Sequence, residues 1–316
     1  MSLADLRDRA IDAGFAAGWG AVKAVPHPVA ARAFRFAGDR AYARDGASVQ
    51  QLRRNLARVS GLTGPALDDL VRAGLRSYAR YWLETFRLPK MDRVEVTARV
   101  VQNTVGEEHI DAALARGKGM ILALPHMGNW DVAGVYLMTR FDRPFTTVAE
   151  RLKPASLFDR FVAYRESLGM EVLPLTGGAR PASEVLAERL RAGGWVCLVG
   201  DRDLSRSGVD VNFFGETAKF PPGPALLAAT TGATLLPVGL WFTDDGGWAQ
   251  HIGAPIEPDP GRLNVRVRQA TQLLADAFAA QIAAHPADWH MLQRFWPADF
   301  ADQPARSLTL VPDIGA

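Results

Sequence analysis

The sequence predicts an α/β fold: a largely parallel central sheet flanked by helices, with an all-helical layer at the N-terminus. Three observations predict it. From Val94 onward short apolar runs alternate with stretches of helical periodicity, the pattern of strands joined by crossover helices. Runs such as Met120–Leu124 and Trp195–Val199 are apolar throughout, as strands covered on both faces are. Residues 1–90 show only helical texture.

Taken in order, Ile11, Phe15, Trp19 and Val22 form a stripe at spacings of four, four and three over residues 3–25. That stripe fits a helix packed into a core. Flanked by Arg7, Arg9 and Lys23, it fits equally a helix lying in a lipid interface. Pro26 and Pro28 punctuate the chain before a helix to about Arg44, and helices over 48–60 and 65–88 follow. The last is rich in aromatics (Tyr78, Tyr81, Trp82, Phe86). Val94–Val100 predicts a strand, Glu107–Arg116 a helix, and Met120–Leu124 a strand that leads into a helix to about Thr139. Strands follow at Phe145–Ala149, Glu171–Pro174 and Trp195–Val199, with helices at Ser156–Ser167 and Ala182–Ala192 between them. Val209–Phe214 is extended. Pro224–Thr231 predicts a helix, with proline in its first turn and Gly232 beyond its end. Thr234–Phe242 and Gln250–Ala254 are strands, and Arg262–His285 is a long closing helix. The expectation is one domain over residues 1–316: a helical layer at 1–90, an α/β core at 91–300 and a tail at 301–316. Low Gly and Ser content gives no flexible linker after the layer.

Composition narrows the function. The chain is 48% hydrophobic and 22% charged, ordinary for a globular protein. A net charge of +2 argues against bulk nucleic-acid binding, although seven arginines against two aspartates crowd the stretch from Ala30 to Arg58. Such a cluster is a solvated helix face or a platform for anionic lipid headgroups, and composition alone favours the first. The single cysteine, Cys197, excludes an intramolecular disulfide and reads as strand packing. The N-terminus carries acidic residues and lacks a continuous apolar core, so no signal peptide is expected. The longest charge-free run, Phe220–Thr243, is broken by prolines and Gly232 and reads as a helix and a strand. A cytoplasmic protein that meets membranes only at its surface is the expectation. G-x-S-x-G, G-x-G-x-x-G and Walker sequences are absent, which disfavours a serine hydrolase and dinucleotide or nucleoside-triphosphate chemistry. The six histidines show neither H-E-x-x-H nor H-x-H spacing, so no metal is expected.

The stretch from Gly117 to Tyr136 carries the chemistry. A strand breaks at Pro125, and His126, Gly128, Trp130 and Asp131 open a helix. Five residues apart on one helix, His126 and Asp131 would point about 140° apart. They meet only if His126 sits on the turn before the helix and Asp131 in its first turn. An imidazole fixed in one tautomer by a carboxylate takes a proton from an alcohol near neutral pH. A strand-end histidine satisfied by backbone is the competing reading. Three clusters after strands converge in principle on His126: Glu150, Arg151 and Lys153 with Arg165; Asp201, Arg202 and Asp203; and the Asn212–Pro224 loop, whose Phe213 and Phe214, with Leu226 and Leu227, supply an apolar wall. Acidic and basic groups at strand ends suit a substrate bearing hydroxyls and phosphates. With no covalent nucleophile in evidence, direct transfer between two bound substrates remains. Backbone amides at Met127–Asn129 are the expected oxyanion donors.

These residues resemble a known family. H-x4-D within ALPHMGNWD resembles the motif of glycerolipid and lipid A acyltransferases. The later blocks LPLTGG, GDRDLSRSGV, PPGPALLA and HPADWHMLQRFW extend the likeness over most of the chain, nearest to the phosphatidylinositol mannoside acyltransferases of actinobacteria. The resemblance implies a glycerolipid acyltransferase-like fold. It implies transfer of a long-chain acyl group, typically palmitoyl, from acyl-CoA as cosubstrate to the 6-hydroxyl of a mannose in a phosphatidylinositol mannoside, without a metal or other cofactor. It implies His126 as general base with Asp131 as its partner in the motif. Asp201 stands where those enzymes carry a glutamate thought to orient the histidine, one methylene shorter here. Glu150, Arg165, Arg202 and Ser207 are implied to bind substrate, the arginines and the serine on acceptor or CoA phosphates. The helical layer is implied to face the membrane, with the protein peripheral on the cytoplasmic face of the cell membrane. Another glycolipid or lysophospholipid acceptor, an acyl-CoA thioesterase-type hydrolase and a non-catalytic lipid-binding protein are the alternatives.

Overall fold

The ends of the helices between residues 27 and 87 follow from backbone chemistry. Helix α1 (His27–Arg44) stops at Asp45 and α2 (Ala47–Ser60) at Gly61, both in the left-handed conformation that closes a helix. Helix α3 (Gly64–Arg87) starts with proline in its first turn. Gly38 of α1 lies so close to α3 that a Cβ would stand 3.0 Å from the Leu75 carbonyl oxygen. The neighbouring Asp39 accepts hydrogen bonds from Arg72 and Arg76 across the same crossing. The chain is seen in a computed structural model that describes residues 18–20, 22–151, 155–203 and 208–300. Ile11, Phe15, Lys153, Ser207 and the tail at 301–316 lie outside the described residues.

The expected strand at Val94–Val100 is a helix, α4 (Arg93–Val101). Its valines suggest a strand by propensity, but Asp92 caps the amides of Val94 and Glu95, and Val96 and Val100 share one buried face at helical spacing. The strands that follow are β1 (Thr104–Val105), β2 (Met120–Leu124), β3 (Phe145–Ala149), β4 (Glu171–Pro174), β5 (Trp195–Val199), β6 (Val209–Phe213), β7 (Glu216–Phe220), β8 (Thr234–Phe242) and β9 (Trp248–Ile252). Between them run α5 (Glu107–Ala115), α6 (Trp130–Phe141), α7 (Ala155–Ser167), α8 (Ala182–Arg191) and α9 (Gly223–Thr231), and α10 (Leu263–Ala284) closes the set.

Seven strands form one sheet in the order β1-β9-β8-β2-β5-β3-β4. From β8 to β4 every pairing is parallel; β9 runs antiparallel to β8, and the two-residue β1 pairs with β9. The extended run at Val209 belongs to a separate antiparallel hairpin, β6–β7, outside this sheet. Alternate strand residues feed two cores. Ile121, Ala123, Val196, Leu198 and Leu235 pack with Leu52 and Leu56 of α2, Val71 of α3 and Phe278 of α10. Met120, Leu122, Leu124, Trp195 and Leu236 face the other side with Val135 of α6 and Phe161 of α7. Because both faces are covered, polar chemistry is confined to the strand ends. Between β2 and β3 the chain crosses over β5, so the carboxyl ends of three parallel strands open onto one place.

Candidate active site

The site begins where β2 stops. The last rung runs from the Gly200 amide to the Leu124 carbonyl at 2.8 Å, after which Pro125 has no N–H to continue the ladder. A tight turn then closes, the Met127 amide donating to the Pro125 carbonyl at 2.7 Å, which leaves His126 at its apex. Gly128 takes φ +57°, and a Cβ there would stand 2.7 Å from the Leu240 carbonyl oxygen, so only glycine fits. Asn129 caps α6 by accepting from the Val132 amide, and its own side-chain NH₂ donates to Glu84 of α3 at 2.8 Å. Glu84 also accepts from Trp248 Nε1 and Arg80 Nε.

The carboxylate at His126 is Asp201, at the end of β5. His126 Nδ1 lies 2.6 Å from Asp201 Oδ1, and the His126 backbone amide donates to Oδ2 at 3.0 Å. Trp289 Nε1 donates to the same Oδ2 at 3.0 Å. Burial alone would raise the Asp201 carboxyl, but the charge of His126 and the three hydrogen bonds outweigh it and hold its pKa below the ordinary 3.8. Two backbone and indole N–H donors already point at Asp201 Oδ2, so the carboxylate is the acceptor, Nδ1 is the ring nitrogen that donates to Oδ1, and Nε2 is turned away from it. Asp201 is fully buried while the His126 side chain is 33% exposed, which leaves Nε2 reachable. Although aspartate is a methylene shorter than glutamate, the contact is tight, not loosened.

His126 does sit on the turn and Asp131 in the first turn of α6, yet they do not pair. The Asp131 carboxylate accepts from Arg165 Nε of α7 at 3.0 Å; Asp131 is buried and the Arg165 side chain partly so. Burial would lower the Arg165 pKa, but the charge of Asp131 reverses the effect and keeps the guanidinium charged. One expectation is corrected here: Asp131 does not hydrogen-bond His126 but pairs with Arg165, the arginine expected to meet a phosphate. The reason is direction, since α6 carries Asp131 toward α7 while the turn aims His126 toward β5.

Glu150, at the end of β3, is half-buried; burial raises its pKa against the opposing pull of Arg202 and His126. Arg202 follows Asp201, and burial lowers its pKa against Glu150 and Asp201. Both are thus electrostatically coupled to the dyad. The Met127 and Gly128 amides, expected as oxyanion donors, are taken by the Pro125 and Asp288 carbonyls. Phe213 is fully buried in an aromatic cluster and Leu227 lies in the core, so they wall no groove. The apolar space lies instead between α6 and the sheet, a cavity of about 80 Å³ lined by Leu122, Leu124, Trp130, Leu137, Cys197 and Val199 among others. Trp130 stands at its edge, with its ring 5.9 Å from that of His126 and nearly perpendicular to it. Burial pushes the Cys197 thiol up, as expected of a packing residue. Sequence reasoning missed Glu84 and the Asp288–His290 segment. A lone carboxylate among the aromatics of α3, and a tryptophan just after a proline turn, were the available signals.

A family model for bacterial lipid A biosynthesis acyltransferases matches residues 6–297. A phosphatidylinositol mannoside acyltransferase of Mycolicibacterium smegmatis is 54% identical over 293 residues, spanning 92% of this chain and 93% of that protein. One of Mycobacterium tuberculosis is 52% identical over 294 residues, spanning 93% and 90%.

Proposed function

Because the chain belongs to the bacterial lipid A biosynthesis acyltransferase family, we propose that it moves a long-chain acyl group, palmitoyl, from acyl-CoA to the 6-hydroxyl of a mannose in phosphatidylinositol mannosides, with His126 as general base. The observation that carries this reading is the buried Asp201 holding Nδ1 of a reachable His126 beside an apolar cavity.

The reaction needs a base, two binding sites and no covalent intermediate. His126 Nε2 takes the proton of the sugar hydroxyl as its oxygen attacks the thioester carbonyl carbon. The imidazolium that forms is stabilised by Asp201, which stays ionised. When the tetrahedral centre collapses the C–S bond breaks, the imidazolium returns its proton to the departing thiolate, and an ester and CoA thiol result. Glu150 is placed to hold sugar hydroxyls, and Arg202 to meet an acceptor or CoA phosphate. The acyl chain enters between α6 and the sheet.

The acceptor implies a membrane surface, and we place the protein peripherally on the cytoplasmic face of the cell membrane. Among the described residues no helix is long and apolar enough to cross a membrane. On α1, Val29 and Phe36 are exposed on the same face as Arg32 and Arg40, a mixture suited to anionic lipid.

Labelled palmitoyl-CoA offered against phosphatidylinositol mannosides, a lysophospholipid and water decides the reading. Labelled mannoside should accumulate, and His126→Ala should cut that rate by about 10²–10⁴-fold while the melting temperature holds. Free fatty acid released as fast without an acceptor, or transfer that survives in His126→Ala, would refute it.

A further inference from the structure

The segment after α10 reaches into the site from the side opposite the acyl cavity. Its Met127–Trp289 pairing is a short antiparallel bridge, in which the Gly128 amide donates to the Asp288 carbonyl at 2.9 Å and the His290 amide to the His126 carbonyl at 2.8 Å. The segment is itself anchored. Asp288 accepts from Ser77 Oγ of α3 at 2.5 Å and from the Phe242 amide of β8 at 3.1 Å. With its hydrogen given to Asp288, Ser77 Oγ accepts from His290 Nε2 at 2.8 Å. The Trp289 indole is fully buried and wedged against Phe213, Phe295 and Trp296, with ring separations of 6.2, 5.3 and 6.1 Å.

One atom of this assembly touches the dyad's electronics. Asp201 Oδ2 accepts from the His126 amide and from the Trp289 indole, which leaves Oδ1 directed at the ring. A carboxylate with only the amide and the ring as donors can rotate about its Cβ–Cγ bond; a third donor on rigid aromatic packing removes that freedom. The indole also draws off negative charge, which limits how strongly Asp201 stabilises the imidazolium.

We propose that Trp289 is a positioning residue of the transfer reaction: its indole N–H locks one oxygen of Asp201 so that the other fixes the tautomer and heading of His126. The inference rests on the proposed role of His126 as base. Losing the donor leaves the carboxylate free to turn, so the imidazole is held less firmly in one heading. The other charged or titratable groups coupled to the dyad are Glu150, Arg202 and the neutral His290, whereas the Trp289 indole N–H donates to Asp201.

The test replaces Trp289 with phenylalanine and, because the smaller ring also loosens packing, with benzothienylalanine, in which sulfur takes the place of the N–H at nearly constant shape. In both, kcat for palmitoyl transfer should fall about tenfold with KM for both substrates unchanged, as for one charge-assisted hydrogen bond. NMR of labelled His126 should show its Nδ1–H resonance broadened by exchange once the carboxylate is free to turn. In an Asp201→Asn background the same replacement should cost nothing further in kcat. A benzothienylalanine protein with unaltered kcat and an unaltered His126 Nδ1–H resonance, or an equal loss in the Asp201→Asn background, overturns the proposal. The NMR arm needs no acceptor, so a failure of the palmitoyl-mannoside reading would show separately as absent transfer in the unsubstituted protein.

Discussion

Two carboxylates flank the turn at His126, and their surroundings differ sharply. Asp131, five residues along, faces α7 and closes a buried ion pair with Arg165. Asp201, seventy-five residues along, sits at the end of the adjoining strand and holds the imidazole. The first ties two helices together over the apolar cavity; the second sets a tautomer. Nearness in sequence therefore says little about which carboxylate serves the histidine, because strand register brings Val199 opposite Leu124, and so Asp201 beside His126, while the first turn of α6 points elsewhere.

The largest expected effect falls on the Asp201 side. Asp201→Asn keeps the shape but cannot hold Nδ1–H against a charged acceptor, so kcat should fall about a hundredfold with the melting temperature nearly unchanged. A kcat within twofold of the original would mean that the two carboxylates are not divided as described. On the other side, Asp131→Ala strands a buried guanidinium and should cost about 3–5 kcal/mol of stability, read as a fall in the melting midpoint. Combining it with Arg165→Met should recover much of that loss. If Asp131→Ala instead melts normally and lowers kcat as Asp201→Asn does, the contrast breaks.

A pH dependence sharpens the same contrast. His290, beside the dyad, is buried with Nδ1 unpartnered, and burial lowers its pKa from 6.5 to about 3. Its folded value is depressed, so its neutral form contributes stability in full above pH 6.5 that is lost as pH falls toward about 3. The slope from this one group is about 1.4 kcal/mol per pH unit across that window. His290→Gln should flatten the denaturation free energy between those limits, measured by urea titration at several pH values. A slope identical to that of the unsubstituted protein would show that His290 is already charged when folded.

Much of the fold was legible because it is local. The apolar runs that became β2 and β5 are largely buried on both faces, and Pro224 with Gly232 marked α9 at both ends. Val94–Val100 was misread because valine favours strands, whereas an Asp92 cap and a buried i, i+4 face outweigh that preference. Within the site, the position of His126 before a helix was legible from Pro125 and Gly128. The partner of Asp131 was not, nor were the roles of Glu84 and Trp289, since each depends on where an element distant in sequence comes to rest.

Alone, then, the chain's residue order determined a histidine on a proline–glycine turn at the mouth of a parallel sheet, because backbone restriction and hydrophobic period act over a few residues. Only the tertiary structure decided which carboxylate grips that ring, which arginine is consumed by an ion pair, and where the apolar cavity opens. Those outcomes depend on strand order and helix direction, which no short-range pattern encodes.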